Sequence, residues 1–235
     1  TKSILQLQQK ELGAEHLDIA EILEDIGYCY RKLGLYSKAE PVYLRALAIR
    51  EKTLRAEHPK IASSLNSLAY TYNKQGLHSK AELLYLRALA IREKTLAHEH
   101  PKIATSLNNL AYTYNKQGLY SKAEPLYLRA LAIRERVLGE DNSKTAFSLH
   151  NLANLYKKQG LYSKAEHLYL RALAIKDRVL GAEHRSTFRS LNNLASLYNK
   201  QGQYSNAIPL YLRVLVAREK VLGAEHPRTA NALNN

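Results

Sequence analysis

Glycines stand at Gly34, Gly76, Gly118, Gly160 and Gly202, and every interval between them is 42 residues. A chain with so strict a period does not build one central core, because each unit buries its apolar face only against copies of itself. The 235 residues are therefore expected to form a single array rather than one large domain or two small ones. Around each glycine one helix ends and another begins. Gly118 has no Cβ and can take the left-handed conformation that closes a helix. Ser121 precedes Glu124 by three positions, the spacing of a capping box, in which each side chain satisfies a free backbone N–H at the start of the next helix. The same spacing recurs at Ser37 and Glu40, Ser79 and Glu82, and Ser163 and Glu166, while Ile208 takes the glutamate position in the fifth unit and predicts a weaker cap there.

Within a unit the apolar period is helical. Ile61, Ala62, Leu65, Leu68, Ala69 and Tyr72 fall on one face of a helix, and Ala81, Leu84, Tyr85, Ala88 and Leu89 make the matching stripe on the next. First helices are predicted near 18–33, 60–75, 102–117, 144–159 and 186–201, and second helices near 37–54, 79–96, 121–138, 163–180 and 205–222. The organisation that follows is the end of a preceding second helix at 1–12, then units at 18–54, 60–96, 102–138, 144–180 and 186–222, then the start of a sixth at 228–235. The first helices open on Pro59, Pro101 or Pro227, where a missing N–H costs little. In the fourth unit Asn142-Ser143 replaces the His-Pro pair, and since Asn is a strong N-cap, the recurring histidine is expected at the cap. Pro41, Pro125 and Pro209 fall inside second helices and predict local distortion. Ala81, Ala123, Ala165 and Ala207 mark close approach of two helices. Thr1 and Asn235 read as cuts in a longer protein, and Ile4, Leu5 and Leu12 at one end, with Ala230 and Leu233 at the other, predict end-to-end self-association.

In the third unit Leu107, Leu110, Ala111, Tyr114, Gly118, Tyr120, Ala123, Tyr127 and Ala130 hold offsets that recur in the others, with departures at His78 and Val214. That signature resembles the tetratricopeptide repeat (TPR), usually about 34 residues long. The longer unit, with Ser106-Leu107-Asn108-Asn109-Leu110-Ala111 and Tyr127-Leu128-Arg129-Ala130-Leu131-Ala132-Ile133-Arg134-Glu135, is similar to the kinesin-light-chain type of the family. The resemblance implies an all-α fold, an α-α superhelix of antiparallel helix pairs, whose first helices line a concave groove that holds an extended peptide or partner helix. Cargo segments with acidic residues around an aromatic are the ligands it implies. The grouping of Lys, Arg and Asn that captures C-terminal carboxylates in chaperone-binding members is not present.

Groove residues then lie opposite the packed face of each first helix: Asn66, Tyr70 and Asn73; Thr105, Asn108, Asn109, Tyr112 and Asn115; Phe147, His150, Asn151, Asn154 and Lys157; Arg189, Asn192, Asn193, Ser196 and Asn199. The first unit differs, with Glu21, Glu24, Asp25, Tyr28 and Arg31. Asparagine is a poor interior helix former, so a row of it is not there for helix stability. An amide donates and accepts, and can grip an extended backbone without reading its sequence. The competing explanation is that Asn109, Asn151 and Asn193 bond across to adjacent repeats.

Charge supplies the partner class. A net charge of +14 and a pI near 9.7 favour acidic partners, whether protein, nucleic acid or membrane headgroups, and do not choose among them. Lys32, Lys74, Lys116, Lys158 and Lys200 sit where a cation offsets the helix dipole. Lys38, Lys80, Lys122 and Lys164 follow the expected N-cap serine, where positive charge is unfavourable, and are assigned to solubility or an acidic partner. Arg45, Arg87, Arg129, Arg171 and Arg213 form a row expected to be solvated.

No catalytic residue, metal site or cofactor is expected. His16, His58, His100, His184 and His226 recur once per unit, too far apart to share a metal, and His98-Glu99-His100 lacks metalloprotease spacing. Cys29 has no motif that sets a base beside it and is read as a small packing residue; as the one cysteine it points to a reducing, cytoplasmic setting. No apolar run reaches the ~20 residues that span a bilayer. The function these observations favour is a non-enzymatic scaffold that binds an extended acidic peptide of a partner protein. Nucleic-acid binding by the basic surface is the alternative, with Tyr70 and Tyr112 as its only free stacking platforms. A third is a sensor or regulatory segment of a larger multidomain protein.

Overall fold

The computed structural model describes residues 15–222. Among them the regular structure is ten α-helices: α1 Leu17–Lys32, α2 Tyr36–Thr53, α3 Pro59–Lys74, α4 His78–Thr95, α5 Pro101–Gln117, α6 Tyr120–Leu138, α7 Ser143–Lys158, α8 Tyr162–Leu180, α9 Arg185–Lys200 and α10 Tyr204–Leu222. The chain divides into two units, 1–126 and 127–235, with α6 running through the division. In the first, α1 packs on α2, α2 on α3, α3 on α4 and α4 on α5; in the second, α7 packs on α8, α8 on α9 and α9 on α10. The helix assigned to 1–12, the stub at 228–235, His226, Pro227 and the apolar ends lie outside the described residues.

The turns follow the sequence logic at the glycines and depart from it at the serines. Gly118 is left-handed with φ 78°, and the N–H of Leu119 reaches back to the carbonyl of Tyr114 at 2.9 Å, closing α5. The next helix, however, starts one residue earlier than predicted. α2, α4 and α8 begin at Tyr36, His78 and Tyr162 with Leu35, Leu77 and Leu161 as N-caps, and none of the three has a side-chain cap bond. Ser37, Ser79 and Ser163 are therefore inside their helices, and the capping boxes expected there do not form. The glutamates are drawn elsewhere: Glu40 accepts from Gln75 at 2.9 Å, Glu82 from Gln117 at 3.1 Å and Glu166 from the Tyr198 hydroxyl at 2.8 Å. Each thus ties a second helix to the first helix of the following repeat.

First helices are capped as expected. Nδ1 of His58, His100 and His184 accepts from the N–H two residues on, at 3.1 Å each, and Asn142 Oδ1 does the same at 2.9 Å. α2 continues through Pro41 to Thr53 and α6 through Pro125 to Leu138, so these prolines do not break their helices. Ala39, Ala81, Ala123 and Ala165 have no exposed surface, as a close helix approach requires. Cys29 is exposed, against the packing role read from the sequence. Its counterparts Thr71 and Thr113 are buried, and Thr113 Oγ1 accepts from Asn73 of the preceding repeat at 2.8 Å. No described helix pair precedes α1 to cover the position in the first repeat.

The tyrosine row at Tyr43, Tyr85, Tyr127 and Tyr169 is buried between helices. Tyr169 donates to Asn154 at 2.6 Å. The Tyr43 ring lies over Gly27, where a Cβ would meet ring carbons at 2.6 to 2.9 Å. Gly27→Ala is expected to destabilise by about 1–3 kcal/mol through overpacking, although Ala69, Ala111 and Ala153 are accommodated at the same offset. A thermal melt overlaying that of the parent protein would show that the ring moves aside at no cost.

Candidate functional site

The side chains expected to line a groove fall into two sets. Among those of the first unit, Asn66, Asn73, Asn109, Tyr70 and Tyr112 are half-buried, while Asn108 and Asn115 are buried. In the second unit His150 and Asn151 are buried, Asn154, Asn192 and Asn193 are half-buried, and Arg189 and Asn199 are exposed. The amides also bond across repeats, the competing explanation: Asn109 donates to Asn66 Oδ1 at 3.0 Å, and Asn193 Nδ2 lies 2.9 Å from His150 Nε2 and 3.4 Å from Asn154 Oδ1. Half-buried amides can do both, since each has more donors and acceptors than these bonds use.

The aromatic platforms already carry cations. Arg31 lies 4.7 Å and Lys74 5.4 Å from the Tyr70 ring centre, and Lys116 lies 5.6 Å from that of Tyr112. The lysines assigned to solubility have a packing role instead, with Lys80 over Tyr72, Lys122 over Tyr114 and Lys164 over Tyr156 at 5.3 to 5.4 Å. The row expected to be solvated is also engaged: Arg87 pairs with Glu51, Arg171 with Glu135 and Arg213 with Asp177. Lys52 with Glu15, Lys94 with Glu57 and Arg178 with Asp141 extend the same pattern, each second helix reaching back one repeat. These exposed pairs are worth about 0–1 kcal/mol apiece.

A row of cations near the end of the second helices escaped the sequence reading. Arg50, Arg92, Arg134 and Lys176 are no more than 7% exposed. Arg50 Nη1 donates to Ser64 Oγ at 2.6 Å and to the Lys60 carbonyl at 3.2 Å; Arg92 repeats this with Ser106 at 2.7 Å and Lys102 at 3.1 Å, and Arg134 with Ser148 at 2.7 Å and Lys144 at 3.1 Å. Lys176 donates to Ser190 at 2.7 Å. Of these four, only Arg50 has a carboxylate among the described residues, that of Glu24 at 3.1 Å. Burial lowers the proton affinity of Arg92, brings Arg134 to about 10 and Lys176 to about 8. The signal in the sequence was the serine recurring between apolar positions at Ser64, Ser106, Ser148 and Ser190, a polar residue on a packed face that needs a partner.

Family models described as tetratricopeptide repeat match residues 2–52, 18–94 and 102–178, and another with the same description matches 187–228. The chain belongs to the tetratricopeptide repeat family. Its fold is all-α, a TPR solenoid of antiparallel helix pairs, and solved structures share it. Crystallised TPR-like repeats of a Podosopora anserina protein assigned as a kinesin light chain are 30% identical to this TPR array, cover 88% of it and 98% of their own chain, and superpose with a TM-score of 0.73. BtubC (BKLC) from P. vanneervenii is 26% identical over 96% of the array and 89% of its own chain, with a TM-score of 0.76. A Rap protein, solved in complex with competence and sporulation factor, is 16% identical over 96% of the array and 70% of its own chain at a TM-score of 0.71, a likeness of fold alone. No match was found among curated proteins. No described helix of the TPR array is long and apolar enough to cross a membrane.

Proposed function

We propose that this TPR array is a non-catalytic interaction scaffold in which the first-helix face of each unit binds an extended acidic segment of a partner protein. The observation that carries the reading is the row of buried cations behind that face. Arg92, Arg134 and Lys176 are held by hydroxyl and carbonyl oxygens, with no carboxylate paired to them among the described residues. A buried charge left unpaired is costly, and a ligand that brings carboxylates recovers that cost on binding. Contacts in this reading come from Asn66, Tyr70, Asn73, Asn109 and Tyr112 in the first unit and from Asn154, Arg189, Asn192, Asn193 and Asn199 in the second. Asn108, Asn115, His150 and Asn151 support the face from below. Stacked nucleobases are disfavoured because the rings of Tyr70 and Tyr112 are already occupied by Arg31, Lys74 and Lys116.

Fluorescence anisotropy with a labelled glutamate-rich peptide, its glutamine counterpart and a single-stranded oligonucleotide tests this. The glutamate peptide is expected to bind at least about tenfold more tightly than the glutamine one, with affinity falling as salt rises. Equal binding of both peptides, or tighter binding of the oligonucleotide, would overturn the reading.

A further inference from the structure

The cation cradle is built alike in successive repeats, yet its fourth wall changes. At the offset of Glu24 the later repeats carry Asn66, Asn108, His150 and Asn192. Glu24 accepts from both Arg50 and Ser64, and its side chain is only 17% exposed. One turn earlier on the same helix, Glu21 pairs with Lys60, which holds its carboxyl below the ordinary range by hydrogen bond and charge. The counterparts of Glu21 are Ser63, Thr105, Phe147 and Arg189, while the cation opposite recurs as Lys102 and Lys144. So α1 supplies two carboxylates to the junction between the first and second repeats. At the next junction Arg92, Ser106 and Lys102 are arranged in the same way, and α3 supplies none.

We infer that Glu24 and Glu21 are a resident ligand: they hold the first carboxylate site of the array closed, and the equivalent position beside Asn66, at Arg92, Ser106 and Lys102, is the first open site, taking a Glu or Asp side chain of the bound segment. This rests on the acidic-segment reading above and adds the register in which that segment is held. Arg92 is 7% exposed and its guanidinium uses one nitrogen on Ser106 and the Lys102 carbonyl. Its other donors are the ones that a carboxylate engages. Asn66 Oδ1 is occupied by Asn109 at 3.0 Å, and a glutamate there keeps an acceptor for that bond while bringing the charge that the second junction lacks. Asn66 therefore decides whether the second site is open or closed.

The test is to close the open site from within. Asn66→Glu, Asn66→Gln and, as a charge control on the exposed start of α4, Ser79→Glu are compared by thermal melt at low and high salt and by anisotropy with the glutamate and glutamine peptides. Asn66→Glu is expected to melt higher than Asn66→Gln at low salt. It should also weaken the glutamate peptide by about tenfold or more, the value of one charge-assisted hydrogen bond, while Ser79→Glu changes it less than about threefold. Glu24→Gln, which opens the first site, is expected to tighten the same peptide.

Equal losses from Asn66→Glu and Ser79→Glu would reduce the effect to net charge and overturn the inference. So would an Asn66→Glu variant that gains stability and binds as before. If the parent protein does not distinguish the two peptides, the acidic-segment reading falls. The open site then stands or falls on whether Asn66→Glu, unlike Asn66→Gln, raises the melting temperature in a salt-sensitive way.

Discussion

Arg50→Met is expected to destabilise the array by about 3–5 kcal/mol, while Arg92→Met at the same offset is expected to be neutral or stabilising. The two arginines sit on equivalent turns of α2 and α4, make the same bonds to serine and to a backbone carbonyl, and are buried to the same degree. The difference lies in Glu24. Removing Arg50 strands a carboxylate that is 17% exposed, with Ser64 as its remaining donor, and an uncompensated buried charge is among the most costly defects a fold can carry. Removing Arg92 deletes a desolvated cation that has no carboxylate, and methionine keeps most of its packing volume. The oxygens left behind are not orphaned, since Ser106 can turn its hydroxyl to the carbonyl of Lys102 four residues back, a bond open to any helical serine. Urea denaturation of the two variants beside the parent protein measures the contrast. Equal losses would mean that the arginine is needed for packing alone and that Glu24 contributes nothing to its worth.

In the fourth repeat the same cradle holds a lysine, and the expected result there is a pH dependence. Lys176 is 1% exposed and burial brings its pKa to about 8 from an ordinary 10.5. The unfolded chain therefore binds more protons between those values, so stability rises with pH across that window, and at neutral pH the buried ammonium costs about 3 kcal/mol. Lys176→Met is expected to recover most of this at pH 7 and to flatten the alkaline rise.

Beside it, His150 is held well below 6.5 by burial and by the charges of Lys176, Arg189 and Lys157. Ser190, Asn193 and the Tyr169 ring complete its surroundings, the ring centre 5.5 Å away. An unfolded imidazole takes up its proton near pH 6.5 and the folded one does not, so the unfolded state holds more protons below that point. Stability should fall on acidification at up to about 1.4 kcal/mol per pH unit, and His150→Asn, the residue type at Asn66, Asn108 and Asn192, should remove that slope. Urea titrations at acid, neutral and alkaline pH, with both variants against the parent, test the pair. Parallel pH profiles for all three would show that neither group differs in proton binding between folded and unfolded states.

What could be read from the residues was whatever depends on local backbone chemistry and periodicity. The 42-residue interval determined the array, the left-handed glycine determined where first helices stop, and the recurring histidine, replaced by Asn142 in the fourth repeat, determined where they start. Each is a matter of a few adjacent backbone groups and their nearest side chains. The start of the second helices was misread by one residue because Ser37 and Glu40 satisfy the capping pattern locally, whereas Gln75 of the next repeat competes for the glutamate through space. Lys80 was misassigned for a similar reason, since its partner Tyr72 lies on the neighbouring helix.

The candidate site was legible only in part. Periodicity named the faces of the first helices, but the amides on them divide between solvent and neighbouring repeat by contacts some 40 residues away in the chain, such as Asn109 with Asn66. The cation row was invisible because Arg50, Arg92 and Arg134 stand beside exposed charged residues in the second helices, and nothing in that local pattern separates a solvated arginine from a buried one. Only the packing of a second helix against the next first helix decided it. That packing brings serine, carbonyl and, in one repeat, Glu24 around a charge that water no longer reaches. The sequence by itself thus determined the fold and its period, and the tertiary structure decided which buried cations meet a carboxylate and which meet only hydroxyl and carbonyl oxygens.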